Sequence, residues 1–406
     1  MTERKEINNI WIGSIPKTWQ DKKFKYVTKF LNGYAFKSDE YVPEGIPVIR
    51  IGDIKPEIDL VDTKRLSESY LEIAKDFIIK KNDILIALTG ATIGKSSVYD
   101  LYDIALLNQR VAVIRTLEII SNNYLKYLID SVEFKSFINY ECDGGAQENI
   151  GKEDIGNFVL PVPSLEEQTA IANYLDEKTA QIDKLIAGKQ ALIDLMKEER
   201  TAIINNAVTK GINPKARLKS TGIEWLGDIP EHWEIKKLKW FFKLSRGFDL
   251  SSNQFIEGDY PVYGSNGVIG YHNEFNVTGP GITVGRSGSV GEVNFIETNF
   301  WAHNTCLYVE KNYGSDWKFG FYFLKNMDLK ALSSGSVVGT LNRNYIHDEL
   351  IGFPPLPEQH IIVKYIEIHT SRIDTTISKI EKEIELMQEY RTALISEVVT
   401  GKIKVI

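Results

Sequence analysis

Apolar positions recur along this chain in two rhythms, one long and helical, the other short and strand-like. Toward the C-terminus Ile373, Ile377, Ile380, Ile384, Met387, Arg391, Leu394 and Val398 step by four and three in alternation, a heptad seam along one helix face. The same seam occurs earlier at Ile182, Ile186, Lys189, Ile193, Met196, Arg200, Ile203 and Ala207, at a constant offset of 191. A proline-rich approach precedes each. Leu160-Pro-Val-Pro-Ser164 offers Ser164 as N-cap and Glu166-Glu167 in the first turn, where acidic side chains favour the positive helix end. From there to about Ala207 no proline intervenes and Gly188 is the only glycine. About 43 residues at roughly 1.5 Å each predict a rod on the order of 64 Å. The second helix is predicted after Phe353-Pro-Pro-Leu-Pro357, running to about Val399. Left alone, either helix would expose its stripe to water. The pattern therefore predicts a coiled coil between them, antiparallel because a long globular segment connects them. Arg200 and Arg391 interrupt both seams, and the expectation is that their stems pack while their heads reach water.

The short rhythm fills the intervening regions. Gly45–Ile54, Asp83–Leu88, Gly281–Gly285 and Thr305–Val309 read as short buried strands followed by glycine loops. The turns are most open at Tyr263-Gly-Ser-Asn-Gly267 and Gly285-Arg-Ser-Gly-Ser-Val-Gly291. Such loops on a rigid scaffold are where recognition usually sits. The predicted fold class is α+β: two globular domains of helix and strand, separated by two long helices.

The chain also repeats itself. Trp11 to Gly33, WIGSIPKTWQDKKFKYVTKFLNG, returns as WLGDIPEHWEIKKLKWFFKLSRG from Trp225 to Gly247. EEQTAIANYLDEKTAQID from Glu166 is echoed by PEQHIIVKYIEIHTSRID from Pro357. These repeats are separated by 214 and 191 positions, so the variable region is shorter by 23 residues in the second half. Two equivalent units of unequal content suggest two similar tasks on different targets, related by an internal pseudo-two-fold. The expected organisation is a first domain over 1–163, a helix over 164–208, a linker over 209–224, a second domain over 225–356 and a second helix over 357–406.

Composition narrows the chemistry. The 406 residues leave room for two or three domains, each with its own core. The opening Met-Thr-Glu-Arg-Lys-Glu is charged where a secretion signal would be apolar, and no run is long enough to span a membrane. A cytoplasmic protein is expected. Cys142 and Cys306 are too few for a disulfide framework or a Cys-based zinc site. All six histidines fall in the second half, so no duplicated chemistry can rest on histidine. The net charge of −7 sits awkwardly with phosphate binding unless charge is segregated or partners supply the contacts.

A nucleotide-hydrolysing loop is the first candidate chemistry to test. Gly90-Ala-Thr-Ile-Gly-Lys-Ser96 follows a strand but is one residue short of a phosphate-cradling loop, with Thr89 where the first glycine belongs. Its counterpart Gly288-Ser-Val-Gly-Glu292 lacks the lysine. No methyltransferase motif, glycine-rich cofactor fingerprint or repeated acidic magnesium cluster is present, so a non-enzyme without a cofactor of its own is expected. The loops instead carry side chains suited to base edges: arginine for guanine, asparagine and glutamine for adenine, serine and threonine for either. In the first half these are Arg50, Thr89, Thr92, Lys95, Asn108, Gln109, Arg110, Gln147 and Asn149. In the second they are Ser265, Asn266, Arg286, Ser287, Ser289, Asn304, Asn342, Arg343 and Asn344. Each alone is more often a turn former or a solvated residue. Their gathering in equivalent glycine loops is what points to DNA. Lysines of the first repeat block (Lys22, Lys23, Lys25, Lys29 and Lys236, Lys237, Lys239, Lys243) could touch phosphates or form an ordinary solvated face.

The Trp-x-Gly-x-Ile-Pro-x-x-Trp opening of each half, the Pro-Leu-Pro-x-Gln run at Pro355 to Gln359 with its variant Val162 to Gln168, and the long helix after each resemble the specificity subunits of type I restriction-modification enzymes. The resemblance covers essentially the whole chain. It implies two target recognition domains that each read half of an interrupted DNA site. It also implies helices that bind two modification subunits, which carry adenine methyltransferase activity and S-adenosylmethionine, with restriction subunits joining to cut unmodified DNA. The subunit itself would be non-catalytic. Glu166-Glu167-Gln168 against Pro357-Glu358-Gln359, and a glycine loop shorter by one, leave residue-level equivalence between the halves open. Three rivals remain: an alternative subunit exchanged to change the target, a scaffold that binds proteins rather than DNA, and an enzyme using the Gly90 loop.

Overall fold

The structure, a computed structural model, describes residues 3–142, 149–334 and 339–405. It divides into two compact units, Met1–Lys189 with Lys382–Ile406, and Gln190–Glu381. Both long helices are shared between them. The first is Leu165–Lys210 and the second Leu356–Val399, so each unit owns a length of both.

In the first unit a four-stranded antiparallel sheet runs in the order Thr28–Asn32, Val111–Thr116, Ile84–Ala87, Ser96–Val98. Ile84 to Ala87 are buried without alternation, which is what a strand covered on both faces requires. Its register places Leu85 opposite Val113 and Ile86 opposite Ala112. A second sheet joins Lys64–Leu66, Ile46–Ile49, Ala105–Leu107 and Ile78–Ile79, with a parallel pair at its centre. One core extends from Trp19, Phe24 and Phe134 to Leu175 of the first helix and Leu394 and Val398 of the second.

The second unit repeats this plan on different residues. Its sheet runs Phe242–Arg246, Cys306–Asn312, Gly281–Gly285, Val293–Ile296. Its smaller sheet has three strands, Gly267–His272, Tyr260–Gly264 and Trp301–Ala302, again with a parallel pair, and the fourth strand of the first unit is reduced to a single bridge between Val277 and Phe300 where the variable region is shorter. Leu218–Ser220, within the expected linker, forms a strand against Asp228–Pro230. The core gathers Trp233, Phe241 and Phe323 with Val208 of the first helix and Ile366 of the second.

A buried glutamine locks each helix start to its domain. Gln168 accepts from the Ser121 backbone N–H at 2.7 Å and donates to the Ile119 and Pro163 carbonyls, both at 3.0 Å. Gln359 accepts from Asp316 N–H at 2.8 Å and donates to Pro354 O at 2.9 Å. Ser121 and Asp316 are themselves N-caps of the helices Asn122–Asp130 and Trp317–Asn326. The glutamine of the recurring motif thus joins two helix N-termini through one buried amide. Ser164 and Glu167 form a reciprocal cap at the first long helix, as its sequence predicts. The second long helix starts at Leu356, with Pro357 inside its first turn, where a missing N–H costs nothing.

Within the first unit the helices run antiparallel: Arg391 grips Asp183 through Nε and Nη2 at 2.9 and 3.2 Å, and Lys189 meets Glu383. Within the second, Arg200 grips Asp374 at 2.8 and 3.3 Å. The repeat offset converts one arginine pair into the other. Both arginines remain partly exposed and their carboxylates half-exposed, so the heads reach the surface as expected and are paired there. Each seam arginine sits where a carboxylate on the opposing helix is in reach, and a two-point fork satisfies it.

Candidate nucleic-acid interface

Backbone pairing brings the candidate loops of each unit to one end of its sheets. In the first unit Asn108 N–H bonds to Ile49 O, Val111 N–H to Asn108 O, Leu88 N–H to Arg110 O, and Ile150 N–H to Leu88 O. Thr89 bridges Asn149, and Tyr34 bridges Asn108. Arg50, Thr89, Asn108, Gln109, Arg110 and Asn149 are thereby collected in one place. Thr92 and Lys95 belong to the loop closed by Gly94 N–H on Ala87 O, and Lys95 N–H returns to Thr92 O. Gln147 lies outside the described residues.

The second unit makes the same frame. His303 N–H bonds to Tyr263 O, Cys306 N–H to His303 O, Arg286 N–H to Thr305 O, and Leu341 N–H to Arg286 O. Ser287 bridges Thr340, and Phe248 bridges His303. Gly291 N–H closes the loop on Gly285 O, as Gly94 does on Ala87. Ser265 abuts this loop, since a Cβ on Gly288 would lie 3.6 Å from its Oγ. Ser265, Arg286, Ser287, Ser289 and Asn304 are therefore gathered, with Asn266 in the adjacent hairpin turn.

The three remaining candidates sit on the helix Arg343–Asp348, which follows Leu341. Asn342 is its N-cap and accepts from Asn344 N–H at 2.9 Å, so that carbonyl is engaged in holding the turn. Arg343 reaches Ser245 Oγ at 3.4 Å. His347 on the same helix accepts from Leu244 N–H at 2.8 Å. That N–H lies at a β-bulge between Lys243 and Leu244, which frees it from the sheet. Burial first, and then the Arg343 and Lys239 charges, hold the His347 pKa below its ordinary 6.5. The imidazole is neutral and its Nε2 is an acceptor.

These frames settle residue equivalence where the sequence could not. Leu88 corresponds to Arg286, Arg110 to Thr305, Thr89 to Ser287, Asn149 to Thr340 and Asn108 to His303. The two halves place their arginines on opposite sides of the same backbone hydrogen bond, Arg110 on the accepting segment and Arg286 on the donating one. Thr305 and His303 escaped the sequence reading because Thr305 reads as the first residue of a strand and no histidine is repeated between the halves. His303 accepts from Thr305 Oγ1 at 2.9 Å through Nδ1 and donates from Nε2 to Leu250 O at 3.1 Å. Gly33 and Gly247 admit this crossing, for a Cβ on either would lie 2.1 Å from the Asn108 or His303 carbonyl oxygen.

Orientation of the charged groups is also built in. Arg50 Nε lies 3.6 Å from Asp53 Oδ2, with part of its guanidinium buried. Asn304 and Arg246 both donate to Asp249. Of the repeat-block lysines in the second unit, Lys236 pairs with Glu234, Lys237 and Lys239 with Asp348, and Lys243 with Glu310. Three carboxylates thus offset most of the charge of these four lysines, Lys237 and Lys239 sharing Asp348, which disfavours them as phosphate contacts. Among the described residues no ion pair engages Lys22, Lys23, Lys25 or Lys29, so the basic face survives in the first unit. Among the described residues, too, no group of three His, Cys, Asp or Glu could hold a metal ion, and no helix is long and apolar enough to cross a membrane.

Two units that share a backbone frame and differ in the side chains it presents define a class: duplicated recognition proteins whose scaffold is constant and whose reading surface varies. The chain belongs to the family of the type I restriction modification DNA specificity domain, whose family model matches residues 16–195 and again 230–386. It is 25% identical to the type I restriction enzyme MjaX specificity subunit assigned in Methanocaldococcus jannaschii, over 97% of this chain and 96% of that one. With the MjaVIII specificity subunit of the same organism it shares 32% identity over 52% of this chain and 51% of the other. The fold is that of the HsdS subunit from Thermoanaerobacter tengcongensis, at a TM-score of 0.57 and 15% identity, covering 96% of this chain and 98% of that one. A subunit from a type I restriction-modification assembly matches at a TM-score of 0.69 and 15% identity, covering 96% and 99%. Specificity subunits are the non-catalytic component of such systems, and the one-residue-short Gly90 loop accords with that.

Proposed function

We propose that this chain reads DNA for a type I restriction-modification system. Each unit recognises one half of a bipartite, interrupted site in double-stranded DNA, and the long helices dock two modification subunits. Those subunits bring S-adenosylmethionine and the methyl transfer, restriction subunits join for cleavage, and the assembly works in the cytoplasm. Domain limits near 1–163 and 225–356, with the helical segments 164–208 and 357–406 between and after them, suit this division of labour.

One observation carries the reading: the same hydrogen-bonded frame is built twice and furnished with different base-reading side chains. Arg110 and Arg286 are the strongest candidates for guanine contacts, because a guanidinium matches guanine O6 and N7 in the major groove. Thr89, Asn108, Gln109 and Asn149 in one half, and Ser265, Ser287, Ser289 and Asn304 in the other, complete the two surfaces. The net charge of −7 implies that the partners supply much of the phosphate contact. The test is binding of the chain, assembled with its methyltransferase partner, to randomised duplexes across a salt series. Salt-sensitive enrichment of a two-part motif supports the proposal. Binding that ignores sequence, or a partner other than DNA, refutes it.

A further inference from the structure

We infer that Ile269 makes a thymine one of the bases read by the second unit, by placing an aliphatic group where the first unit presents a guanidinium. The inference rests on the DNA reading proposed above and deepens it to one base. In the first unit the strand Ile46–Ile49 ends with Ile49 O accepting from Asn108 N–H, and Arg50 is the next residue. In the second unit Tyr263 O accepts from His303 N–H in the same way, and the next residue is Gly264. Arg50 and Gly264 are therefore equivalent in the frame, and the second unit has no side chain of its own at that point.

Ile269 fills the space from the neighbouring strand. A Cβ on Gly264 would fall 2.9 Å from Ile269 Cγ2 and 3.2 Å from Thr305 Oγ1. The hairpin is built to allow it. Val262 pairs with Gly270 and Tyr263 with Val268, so Ile269 is the extra residue of a β-bulge. Bulges kink a strand and re-aim a side chain. The re-aimed isoleucine remains 49% exposed, and Val268 beside it is 46% exposed. It also stands next to Thr305, which bonds to Arg286 N–H, so it belongs to the same surface as the candidate guanine reader.

An exposed aliphatic group beside polar readers has one counterpart on a major-groove edge. Guanine, cytosine and adenine offer only donors and acceptors there, whereas thymine offers its C5 methyl. An arginine at that point in the first unit suits guanine; an isoleucine in the second suits thymine.

Deoxyuridine differs from thymidine only by that methyl, which gives a direct test. The full chain with its methyltransferase partner is presented with two randomised duplex libraries, one containing thymine and one deoxyuridine throughout. The half-site of the second unit is identified as the one relaxed by Arg286→Ala. The expected result is one thymine position in that half-site where deoxyuridine weakens binding about fourfold, the factor for burying one methyl group. Ile269→Ala should reduce that factor to about one and leave the other half-site unchanged. Methyl-insensitive binding at every thymine of that half-site overturns the inference, as does a methyl effect that survives Ile269→Ala. Loss of methyltransferase affinity in Ile269→Ala, with the methyl effect intact, would show a protein contact instead and also overturn it. Should Ile269→Ala abolish binding outright, Ile269→Thr is measured in its place, where a diminished methyl effect supports the inference and an undiminished one overturns it. Absence of sequence selection in both libraries is a separate outcome that overturns the DNA reading itself.

Discussion

Replacing Gln359 by leucine tests how the recognition domain of the second unit is held to its helix. The side chain is almost wholly buried, accepts from Asp316 N–H at 2.8 Å and donates to Pro354 O at 2.9 Å. Leucine keeps nearly the same volume, so cavity formation contributes little. What is lost is the partner of two backbone groups, one at the N-cap of Trp317–Asn326 and one at the start of the long helix. An orphaned buried donor or acceptor costs about 1–3 kcal/mol, so two of them put Gln359→Leu about 2–6 kcal/mol below the native protein. Urea unfolding of the full chain followed by tryptophan fluorescence is a suitable assay, because Trp225, Trp233, Trp240, Trp301 and Trp317 all report on the second unit. A midpoint shift worth less than about 0.5 kcal/mol, at unchanged slope, would refute the claim that this amide fastens the domain.

Three further outcomes are expected. Arg286→Ala should relax one position of one half-site at a cost of about 1–3 kcal/mol, measured by competition with single-base variants; equal weakening on all sequences would remove Arg286 from base reading. His347 has its pKa depressed by burial, so the stability it contributes is present above 6.5 and is lost as pH falls through its lower folded value. Gln in its place keeps an acceptor for Leu244 N–H, and His347→Gln should flatten the acid limb of a stability profile, whereas an unchanged limb would assign it to another group. A double-mutant cycle on Asp183 and Arg391 should give a coupling of about 0.3–1 kcal/mol, and the Asp374 and Arg200 cycle should match it; a coupling in one pair alone would contradict their equivalence.

Much of the architecture was written in the periodicity. The seam positions from Ile182 to Ala207 and from Ile373 to Val398 are buried or half-buried, because a heptad stripe has only one dry face to occupy; the residues between them are exposed except near the helix ends, where Ile204 and Ile395 join the two cores and Ser396 is buried as well. Strands at Ile46–Ile49, Ile84–Ala87 and Gly281–Gly285 fell inside the expected runs, since short stretches rich in β-branched residues between turn signals leave few alternatives. The arginine pairs were harder to see. Asp183 and Asp374 read as solvated positions until the opposing helix is set beside them, and no local pattern reports what faces across a coiled coil. The recognition surface was the least legible part. Glycines marked the loops, but which residues correspond between the halves depended on pairings such as Leu88 with Arg110 and Arg286 with Thr305. A one-residue difference in loop length hides that correspondence from any sequence comparison. Ile269 gave no signal at all, because a bulge, not its own neighbours in sequence, aims it at the surface.

The most direct test of the central claim is adenine methylation mapped across the host genome by long-read sequencing, with and without this chain. The account predicts that one interrupted, two-part motif loses its methylation when the chain is removed, and that substitutions in one unit alter only one half of that motif. An unchanged methylation pattern, in a host where the chain is expressed and bound to its methyltransferase partner, would contradict it.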